Sequence, residues 1–329
     1  MITQQSVLVQ LIRLVERIPS PPPPRRRRGR PIVYSEKLFL KALVIMIVRR
    51  LHRVRELLAV LDEPTSEMSM VRDSLSEEGR FPSRRTFQRR LKALPESLPE
   101  QIGSLGRHLV EMLKPWESRG RAVALDSTVL QAKGGVWHKK DKKAGKVPHT
   151  SIDTEADWTK SGWHGWVYGR KLHLAIAVCE VWIPLAARLT PANTADNLVA
   201  PYLIEQLPDE VRFVLGDIHY NAPNVRQACL RSAQEERFLV STKRGAYPHT
   251  DDGVEVRRIF HKLRSMADEN FNEHPKAIFE VHGEVPTRGL INTQRFALGG
   301  VLVYQLALLY RHERRLDINR GLKPFLRAA

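Results

Sequence analysis

The sequence predicts an α/β protein, a mixed sheet flanked by helices and preceded by a helical, strongly basic region. Three observations carry this. From residue 120 onward, short β-branched runs alternate with helical stretches. Before that point apolar residues recur at helical spacing. The 329 residues also include 53 Lys and Arg against 36 Asp and Glu, a net charge of +17. With 42% hydrophobic residues, the chain can bury one large core plus a smaller module, or two cores.

A surface this basic attracts polyanions, nucleic acid first, with a membrane surface as the rival. The longest apolar run, 296–309, contains Gln305 and two glycines, so it reads as a buried helix and no membrane span is expected. The first ten residues lack a basic leader and a small-residue cleavage site, so no secretory signal is expected. Cys179 and Cys229 are too few for a disulfide framework and form no zinc-type pair. A reducing cytoplasm is the expected setting.

In chain order, Val7 to Ile18 have the spacing of a short amphipathic helix. "PSPPPPRRRRGRP" (19–31) follows, a stiff extended linker with Arg25, Arg26, Arg27, Arg28 and Arg30 as a positive arm. Gly29-Arg30-Pro31 suits a minor groove, and a non-specific phosphate contact serves as well. Residues 35–61 read as one long helix capped by Ser35. A polar stretch leads to a second helix over 81–95, capped by Ser83, with Phe87, Leu91 and Leu94 on one stripe. Arg84, Arg85, Arg89, Arg90 and Lys92 cover the rest. A helix-turn-helix-like DNA module and a bundle helix with a charged outer face both fit, and the global charge favours DNA.

Strands are expected at 121–126, 166–178 and 181–190, the last two an antiparallel pair turning near Glu180. A helix at 195–207, a strand at 212–217, a helix at 222–234 and a strand at 237–242 follow. Helices at 254–275 and 290–312 close the chain. Three antiparallel strands followed by αβαβα is the topology of an RNase H-like domain.

Two strands carry an aspartate where a ligand site belongs. "RAVALDSTVL" places Asp126 after an apolar climb, and "FVLGDIHYNA" repeats the pattern at Asp217. The carboxyl edge of an α/β sheet is where ligands bind. Singly, each aspartate also reads as a strand-end cap. Side by side, two carboxylates repel unless a cation sits between them, and oxygen ligands favour magnesium or manganese. A third carboxylate is available in "LRSMADENFNEHPKAIF", where Lys262, Glu269 and Lys276 recur at seven-residue spacing on one helical face. Asp268, Glu273, Glu280 and Glu284 compete for that role. Trp158, Trp163 and Trp166, interleaved with Lys160, His164, Arg170 and Lys171, form a basic aromatic patch suited to bases at a cut end or to core filling. The run 138–146, "HKKDKKAGK", reads as a loop against the DNA backbone.

Together these residues resemble the DDE transposases of bacterial insertion sequences over residues 32–312. The motifs are "VALDSTVL", "GWHGWVYGRKLHL", "LTPANTADN", "LGDIHYNA" and "ENFNEHPK". The resemblance implies Asp126, Asp217 and Glu269 as catalytic residues and ligands of two Mg2+ or Mn2+ ions. It implies cleavage of transposon ends and attack by the freed 3′-hydroxyl on target DNA. Terminal inverted repeats and target duplex are the implied partners, engaged by a homodimer in the bacterial cytoplasm at the nucleoid. Arg25–Arg28, Arg30, Arg84, Arg85, Arg89, Arg90, Lys171, Lys262, Lys276 and Trp163 are the expected DNA contacts. The sequence departs from the family pattern at Ser265, where an arginine is usual, and at Pro275, which inside a helix costs about 3 kcal/mol. A nuclease without strand transfer, or an impaired remnant that only binds DNA, remains an alternative. The expected division is 1–31, helix and basic linker; 32–118, helical DNA-binding region; 119–314, catalytic domain; and 315–329, basic tail.

Overall fold

The computed structural model describes residues 6–19, 33–114, 121–161, 165–178, 181–231, 237–241, 284–318 and 325–326. Helix α1 (Val7–Leu14) buries Leu8, Leu11 and Ile12. The helix expected over 35–61 is two, α2 (Glu36–Val48) and α3 (Val54–Leu61). Ser35 caps the first, its side chain accepting the Leu38 amide. The break follows from the backbone: Arg50 takes a left-handed φ of 56°, which a continuing helix cannot contain. Glu56 then accepts the His52 and Arg53 amides at 2.8 and 3.0 Å, restarting the helix.

The polar stretch that followed conceals a further helix, α4 (Ser66–Ser74), capped by Thr65 on the Met68 amide. Helix α5 (Arg84–Ala93) buries Phe87 and Leu91, and Ser83 caps it. Helix α6 (Leu98–Leu113) leads to the sheet.

Six strands form that sheet: β1 (Ala122–Gln131), β2 (Asp157–Ser161), β3 (Gly165–Ala177), β4 (Ile183–Pro191), β5 (Phe213–Gly216) and β6 (Phe238–Ser241). Strand β3 pairs antiparallel with β1 on one edge. On its other edge β2 covers residues 165–169 and β4 residues 170–177, end to end. Strands β5 and β6 continue from β1 in parallel. Three antiparallel strands feeding two parallel ones, with α8 (Asp196–Ile204) and α9 (Pro223–Arg231) in the connections, is the RNase H-like arrangement. A five-residue helix, α7 (Lys139–Lys143), lies between β1 and β2.

Strand β1 does not stop at Asp126 as expected. It runs five residues further, because β3 offers partners as far as Gly169 opposite Gln131. Strand β2, absent from the sequence reading, forms on the same long template.

The last helix, α10 (Leu290–Glu313), is buried along most of its length. Gln305 is fully buried and donates to the carbonyls of Ile102 and Pro184 at 2.9 and 2.8 Å, tying α6, β4 and α10 together. Two carboxylates meet the start of α10: Asp153 accepts the Gly289 amide and Glu155 the Leu290 amide. They satisfy amides that a helix start leaves without partners, at the positive end of its dipole. At the other end of such a dipole, buried Arg237 donates to the carbonyls of Ile204, Val211, Leu207 and Pro208 behind α8. One apolar core runs without interruption from α1 through α6 and α10 into the sheet. Among the described residues no helix is long and apolar enough to cross a membrane.

Candidate active site

The site is set by sheet register. Strands β1 and β5 pair in parallel, with Ala124 opposite Leu215. Two residues further on each strand stand Asp126 and Asp217. Asp217 keeps an extended backbone (φ −74°, ψ −175°), so the correspondence carries past the last recorded pair. Adjacent strands lie about 4.8 Å apart, and side chains two residues apart share a face. Both aspartates therefore occupy neighbouring positions on one side of the sheet.

Each has a local reason to be held there. Asp126 lies inside β1, flanked by Leu174 of β3, and is half-buried. Asp217 Oδ1 accepts the His219 amide at 2.8 Å, closing the short 3₁₀ turn that follows β5. Gly216 before it has no room for a side chain: a Cβ there would lie 2.7 Å from the Tyr220 Cβ. Tyr220 is buried, so the turn carrying Asp217 is pinned against its ring.

On the opposite face, Ser127 begins a polar cluster. Its hydroxyl donates to Asp196 Oδ1 at 2.9 Å, at the start of α8. Lys171 Nζ lies 3.2 Å from the same oxygen and also donates to the Thr194 carbonyl. His173, opposite Ser127 in the β1–β3 register, is fully buried. Its Nε2 lies 2.8 Å from Thr190 Oγ1, and its Nδ1 faces Asp196 at 3.4 Å. Burial pushes His173 down to about 4, with Asp196 opposing and Lys171 and Arg188 adding to the shift. This cluster locks β1, β3 and α8 together directly behind Asp126. The sequence reading missed Asp196 although it lies in "LTPANTADN"; its signal was a lone acid at a helix start.

A second lock was also missed. Asp153 and Arg170 form a bidentate pair at 2.6 and 2.9 Å, and their side chains are 2% and 1% exposed. Despite its burial, the Asp153 carboxyl is held below the usual range by Arg170 and by the Gly289 amide.

The remaining expected residues divide by placement. Arg84, Arg85, Arg89 and Lys92 are exposed on α5, whereas Arg90 lies over the Phe39 ring at 4.9 Å. Lys171 is committed to Asp196 and reaches DNA only by leaving that pair. Glu284, a competitor for the third carboxylate, bridges to Gln131, five residues along β1 from Asp126. At about 3.3 Å per residue that is about 17 Å away. Trp158 packs on Tyr168, and Trp166 is 59% exposed. Arg25–Arg28, Arg30, Trp163, Lys262, Ser265, Glu269, Glu273, Pro275 and Lys276 lie outside the described residues. Among the described residues no group of three His, Cys, Asp or Glu gathers as a metal site.

In this sheet Asp126 lies within β1 and Asp217 directly follows β5. Residues 117–266 match the family described as "Transposase DDE domain", and the matched span holds β1 to β6 with both aspartates. Over that segment the chain is similar to the DDE transposases. Among solved structures, the chain is similar to one titled "Mos1 transposase paired-end complex with left transposon end". The identity is 14% over 80% of this chain and 83% of that one, with a TM-score of 0.21. No curated protein matches.

Proposed function

We propose that this transposase cuts DNA with a divalent-metal site built on Asp126 and Asp217, and then joins the freed 3′-hydroxyl to target DNA. The observation that supports the reading is the parallel register of β1 and β5, two residues beyond which Asp126 and Asp217 stand, within the span that matches a transposase DDE domain. The donor set fits a hard cation: carboxylate oxygens on a half-buried sheet face, with no sulfur or imidazole among them. When bound, Mg2+ or Mn2+ would supply charge neutralisation at the phosphate and a more acidic attacking hydroxyl.

The chain's own residues do the rest. Asp126 and Asp217 would hold the cation, leaving the scissile phosphate oriented beside them. The Ser127–Asp196 hydrogen bond fixes the strand beneath Asp126 and the His219 amide holds the Asp217 carboxylate, which matters because a metal tolerates little displacement of its ligands. Glu269 is the proposed third ligand, with Glu273 next. Lys262 and Lys276 flank Glu269 in sequence and suit phosphate oxygens. The exposed Arg84, Arg85 and Arg89 face of α5, with the Arg25–Arg30 arm, is the proposed duplex contact. Terminal repeats, target DNA and a homodimer that pairs two ends belong to the same proposal, as does the division into a helical DNA-binding region and a catalytic domain.

The test uses the full chain and a supercoiled plasmid with a donor segment between its inverted repeats. Wild type nicks in Mg2+ and yields joined products. Asp126→Asn and Asp217→Asn fall to background while still binding DNA. Hydrolysed ends without joined product would reduce the reading to a nuclease, and unchanged nicking in both variants would end it.

A further inference from the structure

We infer that the segment running from the end of β1 through β2 into the first residues of β3 is an arm that grips the phosphates of duplex DNA inboard of the cut. The inference rests on the proposed reading of the chain as a DNA-cutting enzyme.

The arm has a small core of its own. Ala132, Ala156 and Tyr168 are buried there, with Val136, Trp137 and Trp158 packed around them. Two indoles are spent on rigidity: Trp137 Nε1 donates to the Lys146 carbonyl and Trp158 Nε1 to the Trp137 carbonyl, both at 2.8 Å. The Asp153–Arg170 pair then fixes the arm to β3 and to the start of α10. A sequence so lysine-rich would ordinarily be a loose loop; here it is held in one shape.

That shape presents cations. Lys139, Lys140, Lys143, Lys146 and Lys160 are exposed. Lys139 Nζ sits 4.3 Å over the ring of exposed Trp166, and Lys160 is the cross-strand partner of Trp166. Three of the arm's acids are already engaged: Asp153 by Arg170, Asp157 by Lys142 at 2.6 Å, and Glu155 by the Leu290 amide. Exposed ammonium groups that outnumber the one remaining acid among them, Asp141, suit a regular row of phosphates.

The position follows from strand geometry. Asp126 pairs with Leu174, and Trp166 stands eight residues earlier on the same strand. At about 3.3 Å per residue the arm's tip is about 26 Å from Asp126. A duplex running along β3 rises about 3.4 Å per base pair, so the contact falls roughly 7–8 base pairs from the scissile phosphate. There the DNA is paired, so its backbone rather than a stacked base is what the arm meets.

The experiment measures binding of the full chain to a fluorescein-labelled 30-base-pair duplex across a salt series. The triple variant Lys139→Gln, Lys140→Gln, Lys143→Gln should lower the salt slope by about 2.7, near 0.9 per lost phosphate contact, and weaken binding at least about tenfold near 0.15 M salt. The control Arg17→Gln, Lys37→Gln, Arg49→Gln removes three charges that pair with Glu313, Glu16 and Glu67, and should change the slope much less. Equal slopes for the two variants, or a loss confined to a single-stranded probe, would overturn the arm's role. Plasmid nicking is scored separately, so a chain that binds through the arm but never cuts would sink the active-site reading and leave this one standing.

Discussion

Asp196 receives a hydroxyl, an ammonium and the edge of a buried imidazole, from Ser127, Lys171 and His173. The cluster makes folding sensitive to pH in a stated direction. His173 titrates near 4 when folded and near 6.5 when unfolded, so its neutral form is favoured by folding. The stabilisation is fully present above pH 6.5 and is lost as pH falls from there toward 4. The slope is at most about 1.4 kcal/mol per pH unit. Urea unfolding at pH 7 and pH 4.5 measures it, and His173→Gln should flatten the difference between the two. A variant with the wild-type pH dependence would assign the effect to other groups. None of this was legible beforehand: a histidine and a lysine two apart on a strand also describe a solvated edge, and their partner lies 23 and 25 residues away at the start of α8.

Element packing makes a sharper demand at α6. A Cβ on Gly106 would lie 2.6 Å from the Pro184 carbonyl and 3.2 Å from Gln305 Nε2, whereas one on Gly103 meets nothing closer than 3.5 Å. Gly103→Ala should therefore gain up to about 1 kcal/mol from helix propensity, and Gly106→Ala should lose about 1–3 kcal/mol. Denaturant midpoints of the two variants give the comparison, and equal midpoints would contradict the packing. At this scale much of the fold was readable. Apolar, in part β-branched, runs around 123, 172, 186, 214 and 239 marked five strands, and capping residues such as Ser35 and Ser83 marked helix starts. The failures share a physical cause. Strand β1 was cut short because Asp126, Ser127 and Thr128 look like a turn until a longer partner strand is in place. Helix α4 was hidden by its polarity, although Thr65 ahead of it was a usable cap. The run 35–61 was joined because apolar spacing does not register a single left-handed residue at Arg50.

Across the whole molecule, one core joins the helical region to the sheet, so the surface presenting Arg84, Arg85 and Arg89 is rigidly tied to the strands that carry the aspartates. DNA held by α5, by the arm and at the sheet would meet one body with a fixed layout of charge, consistent with the +17 balance of the chain. The two aspartates were visible in the sequence as acids after apolar runs. Their adjacency was not, because it comes from the parallel pairing of strands 91 residues apart. The most direct measurement is Mn2+ anomalous diffraction from crystals of the full chain. A manganese peak shared by the Asp126 and Asp217 carboxylates, each oxygen about 2.2 Å from it, is the expected result. Saturating Mn2+ with no density between those two side chains, or with either carboxylate turned to the α8 face, would contradict it.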